Sequence, residues 1–185
     1  MSDTLDTAPP DPRAHASSDT QRDEPAPAMP RLRPEAGQLA QFLPYQLSVA
    51  SNAVSDLIAD RYRERFGLKI LEWRVMAVLG DKSGVSGYNA MTQRALTEAI
   101  LTDKVAINRA CKGLESRGLI ARVPNATDGR SHLMVLTEEG RAIHAEVLPM
   151  ALETERELLA DFSEAEQGQL RAMLERLRRK VDDLA

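Results

Sequence analysis

The sequence predicts a mainly α-helical protein with one small β-hairpin. Apolar residues recur at three- and four-residue spacing through most of the 185 residues, as expected of amphipathic helices. Two short runs, 120–123 and 133–136, are instead rich in β-branched and aliphatic residues and are separated by turn residues. Two helices with a tight turn between them come directly before this hairpin. That order predicts a winged helix-turn-helix, accompanied by a second, purely helical region.

Residues 1–38 differ in composition from the rest of the chain. They carry seven of the ten prolines and almost no large aliphatic residues. Such a segment buries too little apolar area to offset the loss of chain entropy, so we expect a disordered tail. No apolar run reaches the length of a membrane span, no secretory signal is visible, and the single cysteine fits a reducing compartment. We therefore expect a cytoplasmic protein that does not interact with membranes.

Two helices are predicted between this tail and the helix-turn-helix. The first covers 43–66, with Pro44 in the first turn, where a missing N–H is tolerated, and Gly67 as a stop. The second covers 70–79. The segment 80–88, with three glycines and two serines, is predicted to be a connection.

The helix-turn-helix itself is predicted to begin with a helix over 91–100. The second helix opens at Thr102 as the N-cap, with Asp103 in its first turn, and closes at Gly118, which suits a left-handed C′ position. Its apolar face is predicted to be buried: Ile107, Ala110, Cys111 and Leu114. Its other side carries cations and an amide. A second helix with such an exposed side is the arrangement that enters a DNA major groove.

The hairpin is predicted to form a wing with a basic tip. Turn chemistry comes from Pro124, Asn125, Asp128 and Gly129, and an arginine follows directly. An arginine on such a tip suits the minor groove, where negative potential is concentrated. Thr137 is predicted to be the N-cap of the next helix.

Two helices are predicted after the wing. The first covers 138–162, with a bend at Pro149, and the second starts at Ser163 with Glu166 completing a capping box. The last helix has a coiled-coil-like apolar stripe: Leu170, Met173, Leu174, Leu177, Val181 and Leu184. The helices outside the winged helix carry more apolar surface than one small domain covers. We therefore expect a homodimer, with 39–66 and 141–185 as the dimerisation region and 67–140 as the DNA-binding domain.

The charge distribution favours a nucleic-acid partner although the chain carries a net charge of −4. Residues 91–135 have a net charge of +3, whereas residues 136–185 have a net charge of −5. Phosphate binding requires a local basic surface, not a basic total. The expected partner is double-stranded DNA with a pseudo-palindromic operator, because a twofold dimer presents two recognition helices about one DNA turn apart.

These segments together are similar to the MarR (multiple antibiotic resistance regulator) family. The resemblance is carried by the run LTDKVAINRACKGLESRGLI and by the family's wing pattern, an Asp-x-Arg followed by Leu-Thr-x-x-Gly. That pattern falls on Asp128, Arg130, Leu136, Thr137 and Gly140. Upstream, Gly67-Leu68 followed by Glu72-Trp73-Arg74-Val75 resembles the family's second helix. The resemblance covers residues 43–184 and implies a triangular dimer that regulates transcription.

The predicted DNA contacts lie on the recognition helix and the wing. Asn108 is expected to read adenine, Arg109 to take guanine or phosphate, and the short side chains of Val105 and Ala106 to approach a thymine methyl group. Backbone phosphate is expected at Thr102 and Lys104. The remaining predicted contacts are Lys112, Arg130 and Ser131. Asp128 is expected to orient the wing by pairing with an arginine, because its own charge would repel DNA.

The resemblance also implies an effector, because small phenolic or aromatic carboxylate ligands often bind between the dimer helices and the DNA-binding domain of the family. The matching candidates here are Ser51, Asn52, Trp73, Arg74, Met76 and His144. Trp73 and Met76 are equally compatible with a place in the core. We expect an aromatic acid or its CoA thioester that lowers operator affinity, which makes the protein a repressor.

Other classes of function find less support in the sequence. No HExxH, CxxC, P-loop, G-x-S-x-G or dinucleotide fingerprint occurs, so we expect no enzyme, no metal and no cofactor. Three alternatives stay open. They are a ligand-independent architectural DNA-binding protein, a protein-interaction module that uses the helical dimer alone, and a regulator that senses oxidants through Cys111. The last requires an accessible, stabilised thiolate, whereas Cys111 falls on the apolar side of its helix.

Overall fold

The computed structural model describes residues 38–81 and 89–184. The expected disordered tail therefore lies outside the described residues except for Gln38, as does most of the expected connection at 80–88. Seven helices and one hairpin are described: α1 Gln38–Gln41, α2 Leu43–Phe66, α3 Ile70–Gly80, α4 Gln93–Ile100, α5 Lys104–Ser116, β1 Ile120–Pro124, β2 His132–Leu136, α6 Glu138–Leu158 and α7 Glu164–Leu184. The predicted fold class, mainly α with a β-hairpin wing, is confirmed.

Helix α3 forms the centre of the core and packs against α5 and α6. Its sequence is apolar nearly all round, which is the pattern of a buried helix. Trp73 lies between Tyr62 of α2 and His144 of α6, with ring centroids 5.8 Å and 5.6 Å away. The core therefore joins the winged helix to the long helices on either side of it.

The hairpin is antiparallel and regular, with Ile120 opposite Leu136 and Pro124 opposite His132. Met91, just before α4, forms a further antiparallel bridge with Met134 of β2. Both backbone bonds of this bridge are present, at 3.1 Å and 2.7 Å. The prediction that Met91 belongs to a helix is therefore wrong. Thr92 caps α4 instead, since its side chain accepts the Ala95 N–H.

Two further boundaries differ from expectation. Asp103, not Thr102, is the N-cap of α5, because its carboxylate accepts the N–H groups of both Val105 and Ala106 at 2.9 Å. Aspartate carries a full charge to the positive end of the helix dipole, which a threonine hydroxyl does not. Helix α6 ends at Leu158 and not at 162, because residues 159–162 form the turn that leads to α7. Pro149 is inside α6, as predicted.

The junction between the wing and α6 explains the Leu-Thr-x-x-Gly pattern. The Thr137 side chain accepts the Gly140 N–H at 3.0 Å and donates to the Gly118 carbonyl at 2.7 Å. Gly140 lies against the backbone of Leu119, and a Cβ atom there would come within 1.9 Å of the Leu119 carbonyl oxygen. Only glycine allows α6 to start this close to the turn that joins the recognition helix to β1.

The two outer helices leave much apolar surface uncovered. No residue of α7 is buried, although its stripe of leucines, methionine and valine runs the full length of the helix. Polar contacts tie α6 to its neighbours: Arg61 of α2 pairs with Glu157, and Arg171 of α7 pairs with Glu155. Within the described ranges, no helix has both the length and the apolar character needed to cross a lipid bilayer.

Candidate nucleic-acid interface

The recognition helix α5 divides cleanly into a buried and an exposed side. The four residues predicted to be buried, Ile107, Ala110, Cys111 and Leu114, are all buried in the core. Gly118 follows the helix with φ +69°, the left-handed conformation that suits glycine. The sequence pattern therefore predicted the buried face of α5 correctly, and none of the other residues of the helix is fully buried.

The predicted DNA contacts of α5 are accessible to different degrees. Lys104, Val105, Arg109 and Lys112 are exposed, whereas Thr102, Ala106 and Asn108 are half-buried. Val105 is exposed over 67% of its surface, which is high for an apolar side chain in a folded domain. An exposed valine beside cations and an amide provides the mixture that base edges and thymine methyl groups require.

A network of short hydrogen bonds fixes the tip of the wing. Asn125 donates to the Ser131 hydroxyl at 2.8 Å and accepts the Thr127 N–H at 3.1 Å. The Asp128 carboxylate accepts the backbone N–H of Arg130 at 3.1 Å. This corrects the expected pairing of Asp128 with an arginine side chain, because Asp128 orients the wing through the backbone. The Arg130 side chain is exposed, whereas the Ser131 hydroxyl is engaged inside the turn, where it also donates to the Asp128 carbonyl.

Helix α5 is tied to the wing by an ion pair. The Nε atom of Arg122 on β1 lies 3.1 Å from both carboxylate oxygens of Glu115. The pair is partly exposed, so its electrostatic contribution to stability is small. Its geometric effect is to hold the wing beside the recognition helix.

Lys69 is a basic residue near this surface that the sequence analysis missed. It is the N-cap of α3 and lines a groove of about 510 Å³ that also contains Ala106, Arg109 and Lys112 of α5. The groove gathers three cations from two helices at one place. A lysine at the start of a core helix has no sequence pattern that would mark it, and only the packing of α3 against α5 brings it here.

Cys111 has the surroundings of a core residue. It has no exposed surface, and burial raises the pKa of its thiol, an effect partly offset by the nearby Gln93 side chain. A sensing thiol requires the opposite, a lowered pKa and access to oxidant. The geometry therefore disfavours the redox alternative.

The six effector candidates fall into two separate groups. Ser51 and Asn52 are exposed on α2, and Arg74 of α3 donates to the Ser55 hydroxyl at 2.8 Å, one turn further along α2. Trp73, Met76 and His144 lie in the core, and Met76 has no exposed surface. The structure therefore separates three exposed polar candidates from three buried ones.

A cleft of about 830 Å³ opens between the end of α3 and the middle of α6. His144 is the effector candidate that lines it, beside Asn89, Met91 and Pro149. The His144 ring packs directly on Gly80, since a Cβ atom there would lie 2.3 Å from its Nε2 atom. The cleft is mainly apolar with a few polar groups, as small-molecule sites are. Among the described residues, no group of three or more His, Cys, Asp and Glu side chains is placed to hold a metal ion.

Comparison with known proteins gives consistent results. Residues 66–131 match the model of the MarR family. The chain is 28% identical over 126 residues to the HTH-type transcriptional regulator PecS of Dickeya dadantii, covering 68% of this chain and 74% of that protein. It is 32% identical over 114 residues to the uncharacterized HTH-type transcriptional regulator YwoH of Bacillus subtilis, covering 60% of this chain and 78% of that protein.

Solved structures share the same architecture. A MarR/EmrR family regulator from Acinetobacter sp. ADP1 superposes with a TM-score of 0.70 at 28% identity, covering 80% of this chain and 99% of that chain. Three more distant structures show the fold alone. A putative MarR family regulator from Listeria monocytogenes, solved with a 26mer DNA, has 21% identity and a TM-score of 0.65, covering 75% and 87% of the two chains.

The other two distant structures concern ligand-binding regulators. CouR from Rhodococcus jostii RHA1, bound to p-coumaroyl-CoA, has 20% identity and a TM-score of 0.65, covering 77% of this chain and 95% of that chain. BpsR from Bordetella bronchiseptica, whose DNA binding is regulated by 6-hydroxynicotinic acid, has 19% identity and a TM-score of 0.65, covering 78% and 98%.

The family model, the curated relatives and the solved structures agree with the exposed polar side of α5 and the arginine-tipped wing. This chain belongs to the MarR family of DNA-binding, winged helix-turn-helix transcription regulators.

Proposed function

We propose that the protein is a cytoplasmic, homodimeric repressor that binds a pseudo-palindromic operator and is released from it by a small aromatic carboxylate or its CoA thioester. The recognition helix and the wing supply the DNA surface. The outer helices supply the dimer. The effector acts by favouring a dimer whose recognition helices are misplaced for DNA.

The observation that best supports a dimer is the exposed apolar stripe of α7. The first part of this stripe, from Leu170 to Leu177, lines an apolar groove of about 850 Å³ together with Leu43 and Leu47 of α2. A helix of 21 residues with no buried side chain gains little stability from its own chain, so burial against another surface is needed to hold it. The same stripe on a second copy is the occupant that a twofold axis supplies.

The proposed DNA contacts divide into base and phosphate contacts. Asn108 and Arg109, at the middle of α5, read base edges in the major groove, and Val105 and Ala106 pack on thymine methyl groups. Backbone phosphate is bound by Thr102, Lys104, Lys112 and Lys69. Arg130 enters the minor groove from the wing, which Asp128 and Ser131 hold in shape.

The effector proposal is supported by the cleft beside His144 and by two neighbours of the same fold that are named with aromatic ligands, p-coumaroyl-CoA and 6-hydroxynicotinic acid. A volume of about 830 Å³ is ample for an aromatic acid. Arg74, Ser51 and Asn52 do not line this cleft, and they are the proposed contacts for the carboxylate or phosphate groups of a ligand that extends from it toward α2. Trp73 and Met76 support the pocket from the core.

The proposed mechanism is a population shift. A ligand lowers operator affinity only to the extent that it binds the non-operator dimer more tightly than the operator-binding dimer. His144 packs on both Trp73 and Gly80, so a ligand beside it contacts α6, which belongs to the proposed dimerisation region, and α3, which supports the recognition helix.

The DNA half of the proposal is tested with Arg109→Ala. Duplexes enriched by the full-length protein from a random library serve as the probe, and affinity is measured at several stated salt concentrations. The substitution is expected to cost about 1–3 kcal/mol on the enriched duplex and to relax its sequence preference at the position read. Lys69→Ala is the comparison, and it should weaken binding to all duplexes and lower the salt slope by about one. Equal losses on every duplex for both variants would instead indicate a protein that binds DNA without reading its sequence.

The effector half is tested with a thermal-shift screen of aromatic acids and their CoA esters. A true effector should both raise the unfolding temperature and weaken binding to the enriched duplex, since it binds the folded dimer and prefers one of its states. Arg74→Ala should weaken both effects of an acidic ligand. A screen in which no compound has both effects would remove this half of the proposal and leave the DNA half intact.

A further inference from the structure

One guanidinium joins the end of the recognition helix to the end of α2. Arg117, the C-cap of α5, donates to the Phe66 carbonyl at 2.5 Å and to the Gly67 carbonyl at 3.0 Å. These carbonyls belong to the last turn and the cap of α2, where the helix dipole is negative. Charge-assisted bonds to such carbonyls are stronger than neutral ones, and the planar fork of arginine fixes their direction.

A buried carboxylate completes the arrangement. Glu72 of α3 is 7% exposed, and its Oε2 atom lies 3.6 Å from Nη1 of Arg117. The same Oε2 atom accepts the Lys69 N–H at 2.9 Å, which caps the start of α3. Glu72 therefore pairs with the guanidinium of Arg117, and the Lys69 N–H at the start of α3 holds the Glu72 carboxylate in place.

The backbone of α5 also lies against this carboxylate. A Cβ atom at Gly113 would come within 2.7 Å of Glu72 Oε1, so the glycine allows α5 to approach α3 closely at its C-terminal half. This accounts for a glycine inside a helix, where it costs about 1 kcal/mol relative to alanine. We name the set of Phe66, Gly67, Glu72, Gly113 and Arg117 the C-terminal clamp.

We infer that Arg117 is a positioning residue that sets the angle between the recognition helix and α2, and through it the spacing of half-sites that the dimer accepts. This rests on the proposed dimer, in which α2 carries part of the subunit interface. Among the hydrogen bonds of the described residues, those that tie the end of α5 directly to α2 come from Arg117. The other ion pair of α5, with Arg122, connects it to the wing and leaves its relation to α2 unconstrained.

The experiment measures tolerance to half-site spacing. A duplex enriched by the wild-type protein is remade with one base pair inserted or removed between its half-sites, which moves one half-site by about 3.4 Å and about 35°. We define the spacing penalty as the ratio of Kd on the altered duplex to Kd on the enriched duplex. A rigid wild-type dimer should show a penalty on the order of 30-fold, as for a badly mismatched site.

Arg117→Ala should raise Kd on the enriched duplex by about 10-fold and reduce the spacing penalty to about 5-fold or less, because a loosened α5 adapts to both duplexes. Arg117→Lys should give an intermediate penalty, since one ammonium group does not hold two carbonyls and a carboxylate together. Arg122→Ala is the matched control, because Arg122 is about as exposed as Arg117 but pairs with Glu115 and connects α5 to the wing, so this variant should retain the full penalty.

Size-exclusion chromatography and thermal unfolding are run on every variant, and the penalty is interpreted only for folded dimers. If the alanine variant does not fold, the lysine variant decides. A folded Arg117 variant that keeps the wild-type penalty overturns the inference, whatever its affinity, because its arginine then has only a structural role. A wild-type protein that shows no spacing penalty overturns the proposed twofold recognition as well, so the two failures are distinguishable.

Discussion

At the scale of single residues, three glycines allow neighbouring elements to pack closely against each other. Gly140 allows α6 to begin against the Leu119 carbonyl, Gly80 accommodates the His144 ring, and Gly113 accommodates Glu72. At each of these positions a methyl group would collide with an atom held by the core. The glycines thus fix the distances between elements, and their substitution tests the packing directly.

Gly140→Ala is expected to lower the free energy of unfolding by about 2–4 kcal/mol, because the new Cβ would overlap a backbone carbonyl that has no room to move. Urea unfolding measures the effect. Gly168→Ala in α7 is the control: nothing lies within 4 Å of its Cβ position, so helix propensity should raise stability by up to about 1 kcal/mol. Equal stability of the two variants would contradict the close packing of α6 on Leu119.

Tyr62 gives a pH-dependent prediction. It is 1% exposed, and burial raises the pKa of its hydroxyl from 10.0 to about 12. A group whose pKa is higher in the folded protein contributes stability that is complete below the unfolded pKa and is lost as pH rises through the folded pKa. Unfolding free energy should therefore fall between pH 10.0 and about 12. Tyr62→Phe should fall less steeply over that range in urea titrations, and parallel curves would refute the assignment.

At the scale of elements, the recognition helix depends on its N-terminal cap. The Asp103 carboxylate satisfies two N–H groups that would otherwise lack partners, at the end of the helix that faces the proposed DNA. Thr102, the residue next to it, was the sequence-based choice for this role. Both residue types are good caps, and only the backbone path of the turn decides between them.

Asp103→Ala is expected to lower the unfolding free energy by about 1 kcal/mol, and Asp103→Asn should recover most of that loss, because asparagine also accepts these bonds. Thr102→Ala should change stability by less than about 0.5 kcal/mol. Chemical denaturation of the three variants measures the difference. A larger loss at Thr102 than at Asp103 would mean that the threonine caps the helix in solution.

At the scale of the whole molecule, the proposed dimer would cover the exposed apolar surface of α7 and of the first turns of α2. Exposed leucines along the full length of α7 are common to subunit interfaces and rare on monomers. If the second copy covers them, both recognition helices belong to one rigid unit, and operator affinity depends on the dimer being intact.

Leu174→Asp should dissociate the dimer and weaken binding to a two-half-site duplex by at least about 10-fold, because each half-site is then bound independently. Ala172→Asp is the matched control on the opposite side of α7, and it should leave the dimer intact. Analytical ultracentrifugation gives the mass, and fluorescence anisotropy gives the affinity. A Leu174 variant that remains dimeric with wild-type affinity would show that α7 is not the interface.

Much of the fold could be predicted from local pattern. The buried face of α5, the left-handed Gly118, the Thr137 cap and the Ser163–Glu166 capping box are each set by residues within one or two helical turns. Such features depend on helical period and hydrogen-bond chemistry, both of which sequence displays directly. The outward placement of Arg109 and Arg130 follows from the same patterns.

Features that join residues far apart in the chain are visible only in the folded protein. The Met91–Met134 bridge, the place of Lys69 beside Arg109 and the clamp of Arg117 on Glu72 each join segments separated by more than 35 positions. The same packing split the effector candidates, placing Trp73 and Met76 in the core and leaving Arg74 outside. Local sequence was enough to predict which helices form and which segment becomes the wing, because each of these depends on neighbouring residues. Only packing determined the distances and angles between them, because these depend on which distant side chains share the same space.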